Sequence, residues 1–436
     1  MTFEKLLQQS LLWRGFYFIT LLLVNVVLSR YLQAEGSGWI YYLTNFFSLI
    51  LLLASLSMES GYTYYAAGYI INHNKLAWFS LLWTLVIGAT VAVVIYYYFG
   101  SFKKIPAKEA NNYMLYSLTY VCGILLINFF TVLFYAHKNF LLPNLLMGML
   151  NLLLAILIFS IRKKTDAYPI IVNSYFSFIL LQGIVLAIAF IWLNGSFSVF
   201  SLPNKKEFGM LLRYSLMALA GNLLFFFMYK IDYWFVKHYR GNGAELGNYI
   251  QASKLAQMVL IIPQILASVI FPQTAGGTQQ NDVGRSILVL FRLLLQVIGV
   301  LMLATLLLGQ PLFIFVFGTT FNNINMPFLM LLPGIFSMSV TVLLAAFFSG
   351  HGHVKLNVIG TGIGLLVVVV LDILWVKDYG IRGAAAASSI GYSAFLFYAL
   401  WYFKKIYSFK VKEMFCFSLN DWRWVKDILV HKNSKL

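Results

Sequence analysis

Two lysines and an aspartate sit where so apolar a chain can least accommodate charge. In the stretch Met228 to Lys254, MYKIDYWFVKHYRGNGAELGNYIQASK, two long apolar runs meet through a short glycine-rich turn, His238 to Leu246. Lys230 and Asp232 lie on the way in, Lys254 on the way out. At about 1.5 Å per residue from a turn centred near Asn242, Lys230 and Lys254 fall at the same depth. If that turn marks a membrane surface, both ammonium groups begin roughly 10 Å inside the hydrocarbon. Charge at that depth costs several kcal/mol unless it pairs, snorkels or faces a wet cavity, so the cluster is a functional-site candidate. Its chemistry suits an anion, whose desolvation is offset only by positive charge along its path. Lys230 and Asp232, two residues apart, point about 200° away from each other around a helix. Asp232 is therefore expected to pair with Lys254 or another helix, leaving Lys230 for a ligand; the alternative is a static ion network of all three.

Other charged groups fall inside apolar runs. Arg14 lies about one turn into the first run and Arg292 about two turns into a later one; both join the lysines as candidate cations. Glu59 stands near a membrane boundary, and Asp372, within VVVVLDILWV, is the most isolated carboxylate of the chain. Asp372 reads either as a proton or sodium site or as the partner of a base on a neighbouring helix. The histidines of HGH at 351–353 lack a third ligand nearby and read as loop groups rather than a metal site.

The elements that must position these residues are membrane helices. Of 436 residues 61% are hydrophobic and 10% charged, with a mean hydropathy of +0.81, which excludes an ordinary soluble globule. Twelve runs are long enough to span a bilayer: 11–33, 37–58, 76–98, 112–136, 141–161, 169–193, 209–237, 247–272, 285–308, 326–349, 355–376 and 382–406. They are too long and too uniformly apolar for barrel strands, so the fold expected is an all-α integral membrane protein. Pro263 predicts a kink in the eighth span, and Pro333-Gly334 a break in the tenth. Asn128, Asn144, Asn151 and Asn173 are placed to hydrogen-bond between helices.

The longest interior connection, Asn194 to Gly209, divides the chain into an N-terminal six-helix lobe, 1–203, and a C-terminal one, 204–406, followed by a basic tail, 407–436. A weak internal echo supports the division. Arg30-Tyr31 is followed by Ala34-Glu35, glycines and Trp39; about 210 residues later Lys237-His238-Tyr239 is followed by Ala244-Glu245, Gly247 and Tyr249. Six helices per half make these parallel repeats, related by an axis along the membrane normal. From Lys404 onward the chain has eight lysines and arginines with Trp422 and Trp424, which reads as a membrane-hugging cytoplasmic segment. Loop charges otherwise encode orientation weakly, since KKIPAK and RKK would lie outside if both termini lie inside.

Several function classes drop out. The net charge of +17 is scattered over loops and tail with no compact basic domain, so nucleic acid is not the partner; anionic lipid headgroups or an anionic lipid-linked substrate are. No Walker-type loop, zinc spacing, nucleophile elbow or paired-carboxylate domain is present, so the chain reads as neither an ATP-driven pump nor an enzyme, and no cofactor is expected. A polymerase or ligase acting on the same kind of lipid would need a large outer loop, and no loop here exceeds about twenty residues. Cys122 and Cys416 imply no disulfide framework.

Four landmarks in order, LSRYLQAEGSGWI, KIDYWFVKHYRGNGAELGNY, LLPGIF and KDYGIRGAAAASSIGY, resemble the polysaccharide-export branch of the multidrug/oligosaccharidyl-lipid/polysaccharide (MOP) exporter superfamily, over essentially the whole length. That branch includes bacterial O-antigen and capsule-unit flippases. The resemblance implies two lobes of a MATE-like fold and a V-shaped central cavity lined by helices 1, 2, 7 and 8. It also implies both termini in the cytoplasm of a bacterial inner-membrane protein, and a substrate built from polyprenyl diphosphate and a short oligosaccharide. Arg30 matches the family's basic residue before its glycine turn, and Lys230-Ile231-Asp232 its basic-Ile-Asp triplet. The substrate-binding set expected is thus Arg14, Arg30, Lys230, Lys254 and Arg292, with Glu59, Asp232 and Asp372 as ion-pairing or coupling carboxylates. Two departures stand out: Asp372 occupies a position where the family often has asparagine, and the usual proline before the KYG-like turn is absent, leaving Val376-Lys377-Asp378. Coupling to a proton or sodium gradient stays open, as does partnership with polysaccharide polymerase or assembly proteins. The rival readings are a multidrug or small-cation antiporter, which prefers an acidic cavity, and a peptidoglycan-precursor flippase, whose arginine-rich first helix is not matched at Val24 and Asn25.

Overall fold

The computed structural model describes residues 3–68, 70–103, 106–162, 167–194, 200–275, 280–407, 409, 411–415 and 421. Those residues are almost entirely helical: α1 (Phe3–Ala54), α2 (Met58–Ala67), α3 (His73–Tyr97), α4 (Ala107–Ala136), α5 (Leu141–Ile161), α6 (Ala167–Asn194), α7 (Lys205–Arg240), α8 (Gly243–Met258), α9 (Ile261–Ala275), α10 (Gln280–Phe317), α11 (Asn325–Gly350) and α12 (Val354–Ile406). Trp422, Trp424 and Cys416, together with most of the basic tail, lie outside the described residues.

Among the described residues ten helices are long and apolar enough to cross a membrane, and two of these are of double length, Leu12–Ala54 and Val354–Ile406. A helix of more than forty residues is about 60 Å long, twice the hydrocarbon thickness. Each double helix departs from helical backbone at one point, α1 at Gln33 (φ 58°, ψ −176°) and α12 at Gly380 (φ 57°, ψ −136°). Divided there, the spans number twelve, as the hydropathy pattern predicts. Glycine adopts the Gly380 conformation freely; Gln33 does so at a cost of about 1–3 kcal/mol.

The two expected breaks fare differently. The eighth span is interrupted between Met258 and Ile261, and Pro263 sits in the first turn of α9, where its missing N–H costs no helical bond. By contrast Pro333-Gly334 does not break the tenth span, since α11 runs through both residues. Ser389 braces the helix there: its hydroxyl donates to the Met330 carbonyl (2.5 Å) and accepts from the Gly334 N–H (3.2 Å), joining the two groups by a side-chain bridge. The absent Gly334 side chain leaves room for it, because a Cβ there would lie 2.6 Å from Ser389 Cα.

The chain forms two compact units. One comprises residues 1–33 and 39–223, the other residues 34–38 and 224–436. The boundary therefore falls inside α7 and not at the Asn194–Gly209 connection. In the first unit polar side chains tie the helices: Asn151 donates to Thr20 (3.2 Å) and accepts from Gln182 (2.8 Å), Asn173 accepts from Tyr116 (2.8 Å), and Asn144 donates to Tyr135 (3.0 Å). Asn128, expected among them, makes no such bond to the described residues. In the second unit Ile287, Phe291, Leu343, Phe347, Ala399 and Phe403 build a core that also takes in Phe409 and Met414. The start of the tail is thus packed into the unit rather than lying wholly on a membrane surface, because its apolar side chains find a ready core between α10 and α12.

Candidate functional site

The second unit holds a buried polar cluster built by α7, α8 and α12. Asn242 caps α8 by accepting the Ala244 N–H (2.9 Å), which fixes how α8 leaves the turn after α7. From there the apolar environment leaves each polar side chain only its neighbours as partners. Lys230 donates to the Tyr233 hydroxyl (3.2 Å) and to Gln257 Oε1 (3.2 Å), and its ammonium lies 5.0 Å from the Tyr233 ring centre. Tyr233 donates to Ser253 Oγ (2.9 Å), which also accepts from Gln257 Nε2 (3.0 Å). These four side chains close a ring of hydrogen bonds around one ammonium group. Lys254, half-buried, lies close enough to Lys230 for their charges to repel.

Asp232 heads a second, acidic group. It is buried, and one carboxylate oxygen accepts from the Tyr249 hydroxyl and from Ser388 (3.0 Å). The other oxygen has no hydrogen-bond partner among the described residues. Asp372 lies close enough to repel Asp232; it is fully buried, and neither of its oxygens is hydrogen-bonded to the described residues. Tyr233 and Tyr249 separate the cationic from the acidic group, their rings meeting edge to face at 5.8 Å.

Several expectations change here. Asp232 makes no ion pair with Lys254 among the described residues; hydroxyls hold it, within electrostatic reach of Lys230. Asp372 takes no basic partner among the described residues. Although about 200° apart on α7, both residues reach α8: lysine is long enough to meet Gln257, while Asp232 meets Tyr249 two turns nearer the start of α8 and also Ser388 on α12. Arg292 is engaged elsewhere: it grips Asp421 with two hydrogen bonds (2.7 and 2.6 Å) and donates to the Glu413 carbonyl (2.8 Å). In the first unit Arg14 stacks over Tyr135 at 4.6 Å, Arg30 is exposed, and Glu59 occupies the first turn of α2 with one carboxylate oxygen unbonded. His351 turns Nδ1 to the Phe347 carbonyl (3.0 Å), and the described residues contain no group of three His, Cys, Asp or Glu able to hold a metal ion.

Tyr233, Tyr249, Ser253, Gln257 and Ser388 were not among the sequence candidates. A signal for most of them existed, since Tyr249, Ser253 and Gln257 fall within a turn or so of the depth that singles out Lys230 and Lys254. Ser388 could be found only through the α12 contact.

Two units built of membrane-length helices are also the fold of solved transporters of the MOP superfamily. The solved structure of lipid II flippase MurJ in an inward closed conformation superposes with a TM-score of 0.69 at 15% identity, covering 98% of this chain and 94% of that one. The Vibrio cholerae MATE transporter VcmN in its bent form gives 0.62 at 14% (92% and 96%), and a MOP superfamily transporter from Pyrococcus furiosus gives 0.61 at 16% (92% and 96%). No functionally curated protein matches the sequence. Residues 11–275 match the model of the polysaccharide biosynthesis protein family, and the chain belongs to that family.

Proposed function

We propose that this protein flips a polyprenyl-diphosphate-linked oligosaccharide, an O-antigen, capsule or exopolysaccharide unit, across the bacterial cytoplasmic membrane. Family membership supports a glycan substrate, and the Lys230–Lys254 pair is the observation that carries the reading. Two lysines within electrostatic reach of each other inside an apolar unit favour an anion between them, and a diphosphate is such an anion. In this mechanism the two units alternate access to the two sides, with both termini cytoplasmic. The sugar headgroup and diphosphate cross through a hydrated path while the prenyl tail stays in lipid. Arg14 and Arg30 are further candidates along that path; Arg292 is set aside because Asp421 neutralises its charge and the Glu413 carbonyl takes a third N–H.

Asp232 and Asp372 suit a second role, binding a coupling proton or sodium ion. Three unbonded carboxylate oxygens buried together form a donor set that a small cation would satisfy. The drug or small-cation antiporter reading draws on the same pair, and the MATE likeness keeps it as the runner-up.

The test is export in the source organism by Lys230→Ala and Lys254→Ala variants inserted at normal abundance. Loss of surface polysaccharide, with lipid-linked oligosaccharide accumulating on the cytoplasmic leaflet, is expected. Undiminished export by both variants would remove the lysines from substrate handling.

A further inference from the structure

At the end of the second unit where α7 gives way to α8, a polar cleft of about 380 Å³ opens between three turns. Its walls come from the α7–α8 turn, the α10–α11 connection and the reversal of α12 at Gly380. That volume is in the range of small-ligand sites, about 300–1,000 Å³, yet the walls carry few apolar groups. Arg240, Arg382, Tyr379, Gln310, Asn322 and Asn323 supply most of the chemistry.

Arg240 is held in place. Glu245 grips it through Nε (2.8 Å) and Nη2 (3.1 Å), and the guanidinium lies against Gly380, where a Cβ would be 3.2 Å from Nε. Two of its five N–H groups are used in that grip, leaving three to donate. Arg382 is exposed and, among the described residues, has neither an ion pair nor a hydrogen bond. Apart from Glu245, the groups around the two cations are neutral. Gln310 donates to the Asn322 carbonyl (2.8 Å), which leaves its own Oε1 as an acceptor, and the Asn323 N–H is bonded to Asn248 Oδ1 (3.1 Å), which fixes the connection. The side-chain amides of Asn322 and Asn323 make no bond to the described residues.

We propose that this cleft is a subsite for an acidic saccharide, a sugar ring bearing a carboxylate. Guanidinium groups match a planar carboxylate with paired N–H donors, whereas side-chain amides both donate to and accept from vicinal hydroxyls. Tyr379, two-thirds exposed, offers a ring face to the C–H side of a sugar. A lipid phosphate would use the arginines but leave the amides idle, and a neutral glycan would leave the unpaired Arg382 idle. The saccharide is thus the ligand that uses the whole lining. The inference rests on the glycan-transport reading, and it adds that the transported unit carries a uronic-acid type of sugar.

The experiment uses the full chain purified in uncharged detergent, with trigalacturonate, a neutral trigalactoside, inorganic phosphate and phosphatidylglycerol micelles as probes. Saturable binding of trigalacturonate at least tenfold tighter than the neutral sugar is expected. Arg382→Ala should weaken it tenfold or more, Arg382→Lys should recover part of the loss, and Asn322→Ala should weaken it several-fold. Equal binding of the neutral sugar, or an unchanged Arg382→Ala, overturns the proposal. So does competition by phosphate or phosphatidylglycerol at equal strength, which would make the cleft a headgroup site. Lys230→Ala separates the two readings: export lost with trigalacturonate binding kept is expected if both hold. Export unaffected by the lysines, with binding still governed by Arg382, leaves the cleft standing and sinks the lysine mechanism. Export governed by the lysines, with no trigalacturonate binding, does the reverse.

Discussion

Gly38 and Gly247 meet backbone to backbone, so closely that a Cβ on Gly38 would stand 2.6 Å from Gly247 Cα and one on Gly247 would overlap the Ala34 carbonyl. These are the glycines of the two echoing turns, and the 34–38 segment belongs to the second unit although it is covalently part of α1. The Ala34 N–H also reaches Thr320 Oγ1 (3.2 Å), and the Thr320 carbonyl accepts from Asn248 (3.0 Å). Because the obstructing atoms are backbone, they have no rotamer by which to yield. Gly247→Ala is expected to cost more than the roughly 1–3 kcal/mol typical of overpacking, enough to deplete folded protein, as read by thermal unfolding in detergent. Gly299→Ala, with nothing within 4 Å and a helical backbone, should leave stability unchanged or raise it by about 0.5–1 kcal/mol.

Arg292 and Asp421 form a nearly buried bidentate pair, their side chains 12% and 5% exposed. Removing one partner strands the other charge, so Arg292→Ala and Asp421→Ala should each cost about 3–5 kcal/mol locally. The double variant should be no worse than either single one, a signature of direct coupling. Limited proteolysis reads the result: both single variants should be cut faster in the segment after Ile406.

Hydropathy made the spans legible because a bilayer imposes one length on every crossing helix, and the α5 boundaries coincide with the run at 141–161. Charge made Lys230, Asp232 and Asp372 legible for the same reason. What stayed hidden was partnership. Nothing in the order of residues says that Ser389 would bridge the backbone of α11, or that Asp421 would claim Arg292 from 129 positions away. The echo of the two turns was legible as repetition, but its physical meaning, that both need glycine where their backbones touch, lies in a contact between residues about 210 positions apart. Polar residues without charge, such as Tyr249 and Ser388, carry no insertion penalty large enough to single them out.

Tyr249 is fully buried and its hydroxyl is committed to Asp232. Tyr249→Phe removes a donor from a carboxylate that cannot turn to water, and about 1–3 kcal/mol of stability should go with it. Ser388→Ala removes the second donor at 3.0 Å and should cost about as much alone. The pair should be more than additive, since together they leave Asp232 with no side-chain donor at all. Unfolding midpoints of the four proteins in one detergent test this.

Asp372→Asn separates structure from coupling most cleanly. The side chain keeps its shape, and because neither carboxylate oxygen makes a hydrogen bond to the described residues, none of those bonds is broken. Replacing the charge-bearing group also removes its repulsion of Asp232. The unfolding midpoint should therefore hold or rise. If a proton or sodium ion binds between the two carboxylates, the variant should insert and fold but lose the dependence of transport on the ion gradient, read in proteoliposomes with and without an imposed proton or sodium gradient. A variant that is stable and still responds to both gradients would take Asp372 out of coupling and leave Asp232 as the only carboxylate of the pair in that role. A variant that fails to fold would instead show that the buried acid supports the packing of α12.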